Sequence, residues 1–300
     1  MTGPTAAGKT AVGLELARRL GAEILSLDSM AVYRGLDIGT AKPSPAELAA
    51  VPHHLIDLCE PSEDFSIAQY LAQAGQAVAE VRSRGRVPLF VGGTPFYLKA
   101  LLHGLTSGPE PNWELRERLF DEAAQSGGQA LHARLCAVDP AAAARLHPND
   151  LKRVVRALEV YETSGQRISA GQTHGGAEPA AQRVFVLEWP REELNTRIDT
   201  RVSAMFAGGW IDEVQRLLAV PGGLGRTARQ AVGYREIAEQ LQGLRSLADT
   251  IRLVQLRTRQ FAKRQLTWFR SLAECRGVTV SAPFDAQAVA EQIVRLERAG

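Results

Sequence analysis

Cysteine is scarce in this chain, with three residues in 300, at positions 59, 136 and 275. Their wide separation fits no metal-ligand spacing, and an odd number argues against a disulfide framework, so a reducing cytoplasm suits the composition. Long apolar runs are missing too, which excludes a transmembrane helix, and a polar glycine-containing loop stands where a signal peptide would begin. No repeat or low-complexity tract is present. A large excess of either charge is also lacking. The formal net charge of +2 averages over uneven segments, so local charge is the quantity to read. The length suits a large single domain, or one domain carrying a sizeable insertion.

What the chain does have is Gly3-Pro4-Thr5-Ala6-Ala7-Gly8-Lys9-Thr10, which fits the G-x-x-x-x-G-K-[ST] phosphate loop at every fixed position. Its glycines let backbone N–H groups turn inward around an oligophosphate. Lys9 adds a point charge, and the Thr10 hydroxyl suits Mg²⁺. Leu14, Leu16, Ala17 and Leu20 then recur at helical spacing, so a helix N-terminus faces the anion. Only Met1 and Thr2 precede Gly3, too little for a typical strand. The first central strand is therefore expected to be truncated or absent: either the true start lies upstream or other strands hold the loop.

Residues 23–27 read as a short buried strand that delivers Asp28 to its carboxyl end, where α/β sheets place ligands. The polar, irregular stretch 28–43 is expected to lie over the same edge as a loop. Asp28 then acts as metal ligand or proton acceptor, although Asp and Ser also terminate strands for structural reasons alone. Ser44, Pro45 and Glu47 form a helix-start signature. Residues 53–58 suggest a strand, and adjacent His53 and His54 would face opposite sides, which favours a structural role over a metal site. A helix over 65–84 and a strand over 86–91 follow. That strand runs into Gly92-Gly93-Thr94, with a helix at 96–103.

After Gly104 the pattern changes to a linker-like stretch over 106–111, then purely helical periodicity to about 165 and a polar return over 165–181. No strand is expected until 184–187, which is the profile of a helical insertion between two core strands. The expected architecture is α/β, a P-loop NTPase-like parallel sheet flanked by helices. Its core spans 1–107 and 182–300, and an all-helical insertion spans 108–181. Within the insertion, Asp150 N-caps a helix with Lys152, Arg153 and Arg156 in its first two turns, opposed to the helix dipole and so in want of an external anion. Arg197 and Arg201 share one helix face, with Glu193 and Asp199 as available partners. Residues 251–272 carry Arg252, Arg257, Arg259, Lys263, Arg264 and Arg270 without an acid. Phe261, Trp268 and Phe269 are interleaved, which favours a nucleic-acid surface over a merely solvated face.

Seven stretches taken in order resemble the tRNA dimethylallyltransferase (tRNA isopentenyltransferase) family: GPTAAGKT, DSMAVYRGLDIGTAKP, HHLIDL, VGGTPFYLKALLHG, HPNDLKRVVRALEV, VGYREI and FAKRQLTWFR. The resemblance implies Mg²⁺-dependent transfer of a dimethylallyl group from its pyrophosphate to the exocyclic amine of the adenosine immediately 3′ of the anticodon. In that family the loop Gly3 to Thr10 holds pyrophosphate, so an ATP-binding label describes the motif better than the reaction. By position, Asp28 is similar to the general base, Arg201 to the arginine at the pyrophosphate, and Thr5 to a donor to the leaving oxygen. Expected tRNA contacts are Asp28-Ser29-Met30-Ala31, Thr94, Arg116, Lys152-Arg153-Val154-Val155-Arg156, Gln230-Ala231-Val232-Gly233-Tyr234-Arg235 and Lys263-Arg264-Gln265-Leu266-Thr267-Trp268-Phe269-Arg270. Ala7 replaces a usual serine and Ala31 a frequent glutamine, and the second change removes a polar contact to the target base. A cytoplasmic monomer with no membrane partner is expected. A small-molecule P-loop kinase, a prenyltransferase acting on free adenylate and a non-catalytic RNA-binding module are the alternatives.

Overall fold

Five strands lie among the described residues: β1 (Ala22–Leu27), β2 (His53–His54), β3 (Val87–Gly92), β4 (Val184–Glu188) and β5 (Cys275–Thr279), of which β1, β3 and β4 are mostly apolar runs. They are seen in a computed structural model that describes residues 1–104, 108–170 and 184–298. Every pairing is parallel, with β1 between β2 and β3, and β4 beside β5. Thr2 joins the two groups by bridging Gly92 on one side and Val186 on the other. Its N–H donates to Phe185 O at 2.7 Å, its carbonyl accepts from Leu187 N at 2.9 Å, and its hydroxyl donates to Gly92 O at 2.8 Å. The first central strand is thus a two-residue stub, and β3 and β4 hold the phosphate loop from either side. Buried parallel strands need both faces covered, and β1 is buried at all six positions.

The covering helices start where local chemistry says they should. α1 (Lys9–Leu20) leaves the phosphate loop and turns its Val12, Leu16 and Ala17 side inward. α2 (Pro45–Ala50) and α3 (Ile67–Ser83) each begin with a complete capping box, Ser44 with Glu47 and Ser66 with Gln69. The strand expected over 53–58 stops after His54, because Leu55 and Asp57 turn to φ 64° and 55°. His54 Nε2 lies 2.7 Å from a Glu23 oxygen, so this histidine has a structural partner. α4 (Pro95–His103) follows β3.

Two compact units result, Met1–Leu102 with Ala180–Gly300, and His103–Pro179. The second holds α5 (Trp113–Ser126), α6 (Gly128–Val138), α7 (Pro140–Ala143) and α8 (Leu151–Ser164) around Leu119, Leu131, Leu135, Val154 and Leu158. Residues 106–107 of the expected linker and 171–181 of the expected return lie outside the described residues, as do the expected boundaries. The first unit continues with α9 (Arg191–Ala207), α10 (Trp210–Ala219), α11 (Tyr234–Leu241), α12 (Leu247–Arg270) and α13 (Ala286–Arg298). Its main core includes Val12, Leu16, Trp189, Ile198, Trp210 and Tyr234.

Candidate active site

The phosphate loop is fixed through its carbonyls. Lys9 Nζ donates to Pro4 O at 2.7 Å, Arg197 Nε to Ala6 O at 2.9 Å and Trp189 Nε1 to Ala7 O at 3.0 Å. Arg197 is itself sandwiched, its Cζ 4.2 Å from the Trp189 ring centre and 5.0 Å from that of Phe284. With the carbonyls held outward, the N-terminal N–H groups of α1, which have no partner within the helix, face the cavity. Gly8 caps α1 at φ 89°, and a Cβ there would meet the Phe284 ring at 2.5 Å, so only glycine fits on both counts. Ala6 also adopts a positive φ, 62°, a conformation few non-glycine residues take outside constrained loops.

This loop lines a cavity of about 980 Å³ together with Asp28, Thr94, Arg201 and the 39–43 segment. Lys9 is pushed down to about 7, first by burial and then by Arg201, while Asp28 pulls it upward. Burial likewise lowers Arg201, against the pull of Asp28. Among the described residues Arg201 makes no ion pair. Asp28 stands just past β1. Its Oδ1 accepts the Met30 and Ala31 N–H groups at 2.8 and 3.3 Å, forming a closed turn. Thr94 braces that turn by accepting the Ser29 N–H at 3.1 Å. The cavity therefore brings Lys9, Arg201, a helix N-terminus and the Asp28 carboxylate together, a set suited to a polyanionic ligand beside a group that gives up a proton.

A residue the sequence reading did not single out, Glu213, holds the 37–39 segment that leads into the cavity lining. Glu213 on α10 is 2 % exposed. Its carboxylate accepts from the N–H groups of Asp37, Ile38 and Gly39 at 3.0, 2.6 and 3.3 Å, and from Tyr234 Oη at 2.7 Å. Lys42 closes the same segment onto Tyr33 O at 2.6 Å and the Asp37 and Asp57 carboxylates. Glu213 had a signal: it shares the apolar stripe of Trp210, Val214 and Leu217, an odd place for a carboxylate without buried donors.

The sequence-predicted residues separate into groups. Gly3 to Thr10 are held as one loop, and Thr5, Asp28, Ser29, Met30, Ala31, Thr94, Arg201, Gln230, Ala231, Val232, Arg264 and Gln265 meet in the cavity lining. Val154, Val155, Tyr234 and Phe269 have buried side chains, each at most 1 % exposed, so they hold helices in place and direct side-chain contact with an RNA is corrected for these four. Arg116 and Arg156 are engaged by Glu159, and Arg156 also donates to Pro109 O at 3.0 Å. On α12 most of the cations have carboxylate partners. Arg252 pairs with Asp249, Arg257 with Glu236, Arg259 with Asp199 and Arg270 with Glu188. Lys263 and Arg264 have no ion pair among the described residues, and Lys152 has none either. Arg197 holds the loop carbonyl where pairing with Glu193 or Asp199 was available.

Fold and site together define an α/β protein with a small parallel sheet, many helices and a cleft lined by the loop Gly3 to Thr10. A family model described as IPP transferase matches residues 31–272, and a second, isopentenyl transferase, matches residues 1–60. The chain is 48 % identical to a tRNA dimethylallyltransferase of Symbiobacterium thermophilum, over 99 % of this chain and 94 % of that one. It is similar to the crystal structure of the full-length tRNA isopentenylpyrophosphate transferase of Bacillus halodurans, with a TM-score of 0.70 and 37 % identity over 99 % and 97 % of the two chains. A eukaryotic dimethylallyltransferase captured acting on tRNA gives a TM-score of 0.75 at 25 % identity, over 99 % of this chain and 76 % of that one. The chain belongs to the IPP transferase family. No helix among the described residues is long and apolar enough to cross a membrane.

Proposed function

We propose that this enzyme transfers the dimethylallyl group of dimethylallyl pyrophosphate to the N6 amine of the adenosine immediately 3′ of the anticodon in tRNA, releasing pyrophosphate. The observation that carries the reading is the meeting of the phosphate loop, Lys9, Arg201 and Asp28 in one cavity. An allylic C–O bond breaks readily once the departing pyrophosphate is neutralised. Lys9, Arg201 and the α1 N-terminus supply positive charge where the negative charge develops, with Thr5 donating to the leaving oxygen. The adenine amine is a poor nucleophile that becomes acidic as it attacks, and Asp28 takes its proton. The target base reaches the cavity by leaving its stack.

Mg²⁺ fits this donor set. The cation needs only one or two protein oxygens when substrate phosphates and waters complete its shell, and Thr10 at the start of α1 would hold it, with Asp28 in the same cavity. When bound it supplies further charge to the pyrophosphate oxygens. The α/β core is read as P-loop NTPase-like, and the helical unit His103–Pro179 as the insertion that grips tRNA, through Lys152 and Arg153. Action as a monomer belongs to this reading, and a tRNA substrate supports the cytoplasm. Incubation with dimethylallyl pyrophosphate, Mg²⁺ and unmodified tRNA, followed by nucleoside mass spectrometry, is expected to give N6-dimethylallyladenosine at one position. Prenylated free AMP with unmodified tRNA would favour an adenylate prenyltransferase, and ADP release from added ATP would favour a kinase.

A further inference from the structure

Gln265 lies within α12, is 4 % exposed, and closes a bridge between two loops far apart in sequence. Its Oε1 accepts the Thr5 N–H at 2.9 Å, and its Nε2 donates to Gly93 O at 2.5 Å. One partner is a backbone donor and the other a backbone acceptor, so a single orientation of a neutral amide satisfies both. A carboxylate satisfies one and a hydrocarbon neither. Gly93 leaves room for this amide and little else, because a Cβ there would meet Nε2 at 2.8 Å. Thr5 belongs to the phosphate loop. The N–H groups of Gly93 and Thr94 both donate to Leu27 O, at 3.0 and 3.1 Å, and Thr94 braces the turn that carries Asp28. The anion-binding loop and the proton acceptor are therefore registered against each other through one side chain.

We propose that Gln265 is a positioning residue that sets the phosphate loop against the Asp28 turn, so that leaving group, nucleophile and proton acceptor align. What it aligns rests on the proposed reaction. The bridge itself does not. A displacement of about 1 Å at reacting atoms costs about a hundredfold in rate, and a loop released from one of several anchors still binds its anion. Loss of the bridge should therefore reduce rate more than affinity.

The test uses the full chain carrying Gln265→Met, which keeps length and volume, beside Gln265→Glu, which keeps the acceptor for Thr5 and sets an oxygen against Gly93 O. Three quantities are measured: the inorganic pyrophosphate Kd with Mg²⁺ and no tRNA, the single-turnover transfer rate with both substrates saturating, and the melting temperature. Gln265→Met is expected to transfer about 10- to 100-fold more slowly while its pyrophosphate Kd rises only about fivefold. Gln265→Glu should be slowed with its Kd close to that of the unaltered enzyme. A transfer rate within about twofold of the unaltered enzyme, in variants that melt lower, would reduce Gln265 to packing and overturn the proposal. If the unaltered enzyme binds pyrophosphate yet transfers nothing, the reaction reading fails and the positioning role falls with it, whereas an active unaltered enzyme with equally active variants overturns the positioning role alone. Should Gln265→Met fail to fold, Gln265→Glu carries the same comparison.

Discussion

Two groups of cations, one in each compact unit, look alike in sequence and are compensated in opposite ways. In the helical unit, Glu159 of α8 is fully buried and is gripped by Arg116 through two hydrogen bonds of 2.9 Å, by Arg156 at 2.5 Å and by the Asn112 N–H at 2.6 Å. Burial by itself would raise this carboxyl, yet the donors hold it below the usual carboxylate range. In the α/β unit, Lys9 and Arg201 are half-buried in the cavity wall, and among the described residues the carboxylate coupled to both is Asp28, which already spends one oxygen on its own turn. A cation answered by a buried carboxylate is part of the fold. A half-buried cation left without one has its charged form disfavoured, and a bound anion restores it.

The contrast is broken most strongly at its pivot. Asp28→Asn preserves shape and removes the proton acceptor, so the single-turnover rate should fall by about a hundred- to ten-thousand-fold while tRNA and pyrophosphate affinities hold. A rate near that of the unaltered enzyme, with chemistry shown to be limiting, refutes the assignment. Next, Lys9→Met removes a charged donor from the anion, and pyrophosphate Kd should rise about 10- to 100-fold with little change in melting temperature. Arg116→Ala should behave in the reverse manner. It strands part of a buried charge, so unfolding is expected to be easier by about 2 kcal/mol, with tRNA affinity nearly intact below the melting transition. A smaller effect sharpens the comparison further: Lys152→Ala or Lys263→Ala should each reduce the salt slope of tRNA binding by about 0.7–0.9, whereas Arg116→Ala leaves that slope alone.

How much of this was legible depends on whether a partner lies nearby in sequence. The phosphate loop and the Asp28 turn are local: their shape follows from Gly8, from the capping of α1 and from a strand that ends at Leu27. The capping boxes of α2 and α3 are local too. The ion pairs of α12 were hidden because most of their acids come from elsewhere: Asp199 lies 60 residues from Arg259, Glu236 21 from Arg257 and Glu188 82 from Arg270. No helical periodicity reports such pairings. The truncated first strand was legible, because only Met1 and Thr2 precede Gly3, but the bridges that tie Thr2 to β3 and β4 needed the fold. Gln265 was legible as part of a basic, aromatic segment, but its bridge spans 260 and 172 residues and needed the fold.

If the half-buried cations of the cavity are reserved for an anion, Lys9 should reveal it. With a free-state pKa of about 7, it is mostly neutral at pH 8, and a bound polyanion raises that value. Binding between the two values must draw in a proton, and affinity weakens as pH rises above 7 through loss of the charged form. Pyrophosphate titration calorimetry at pH 8, in two buffers of different ionisation enthalpy, should show the unaltered enzyme taking up close to about one proton more than Lys9→Met. Equal proton uptake by the two proteins would contradict the account.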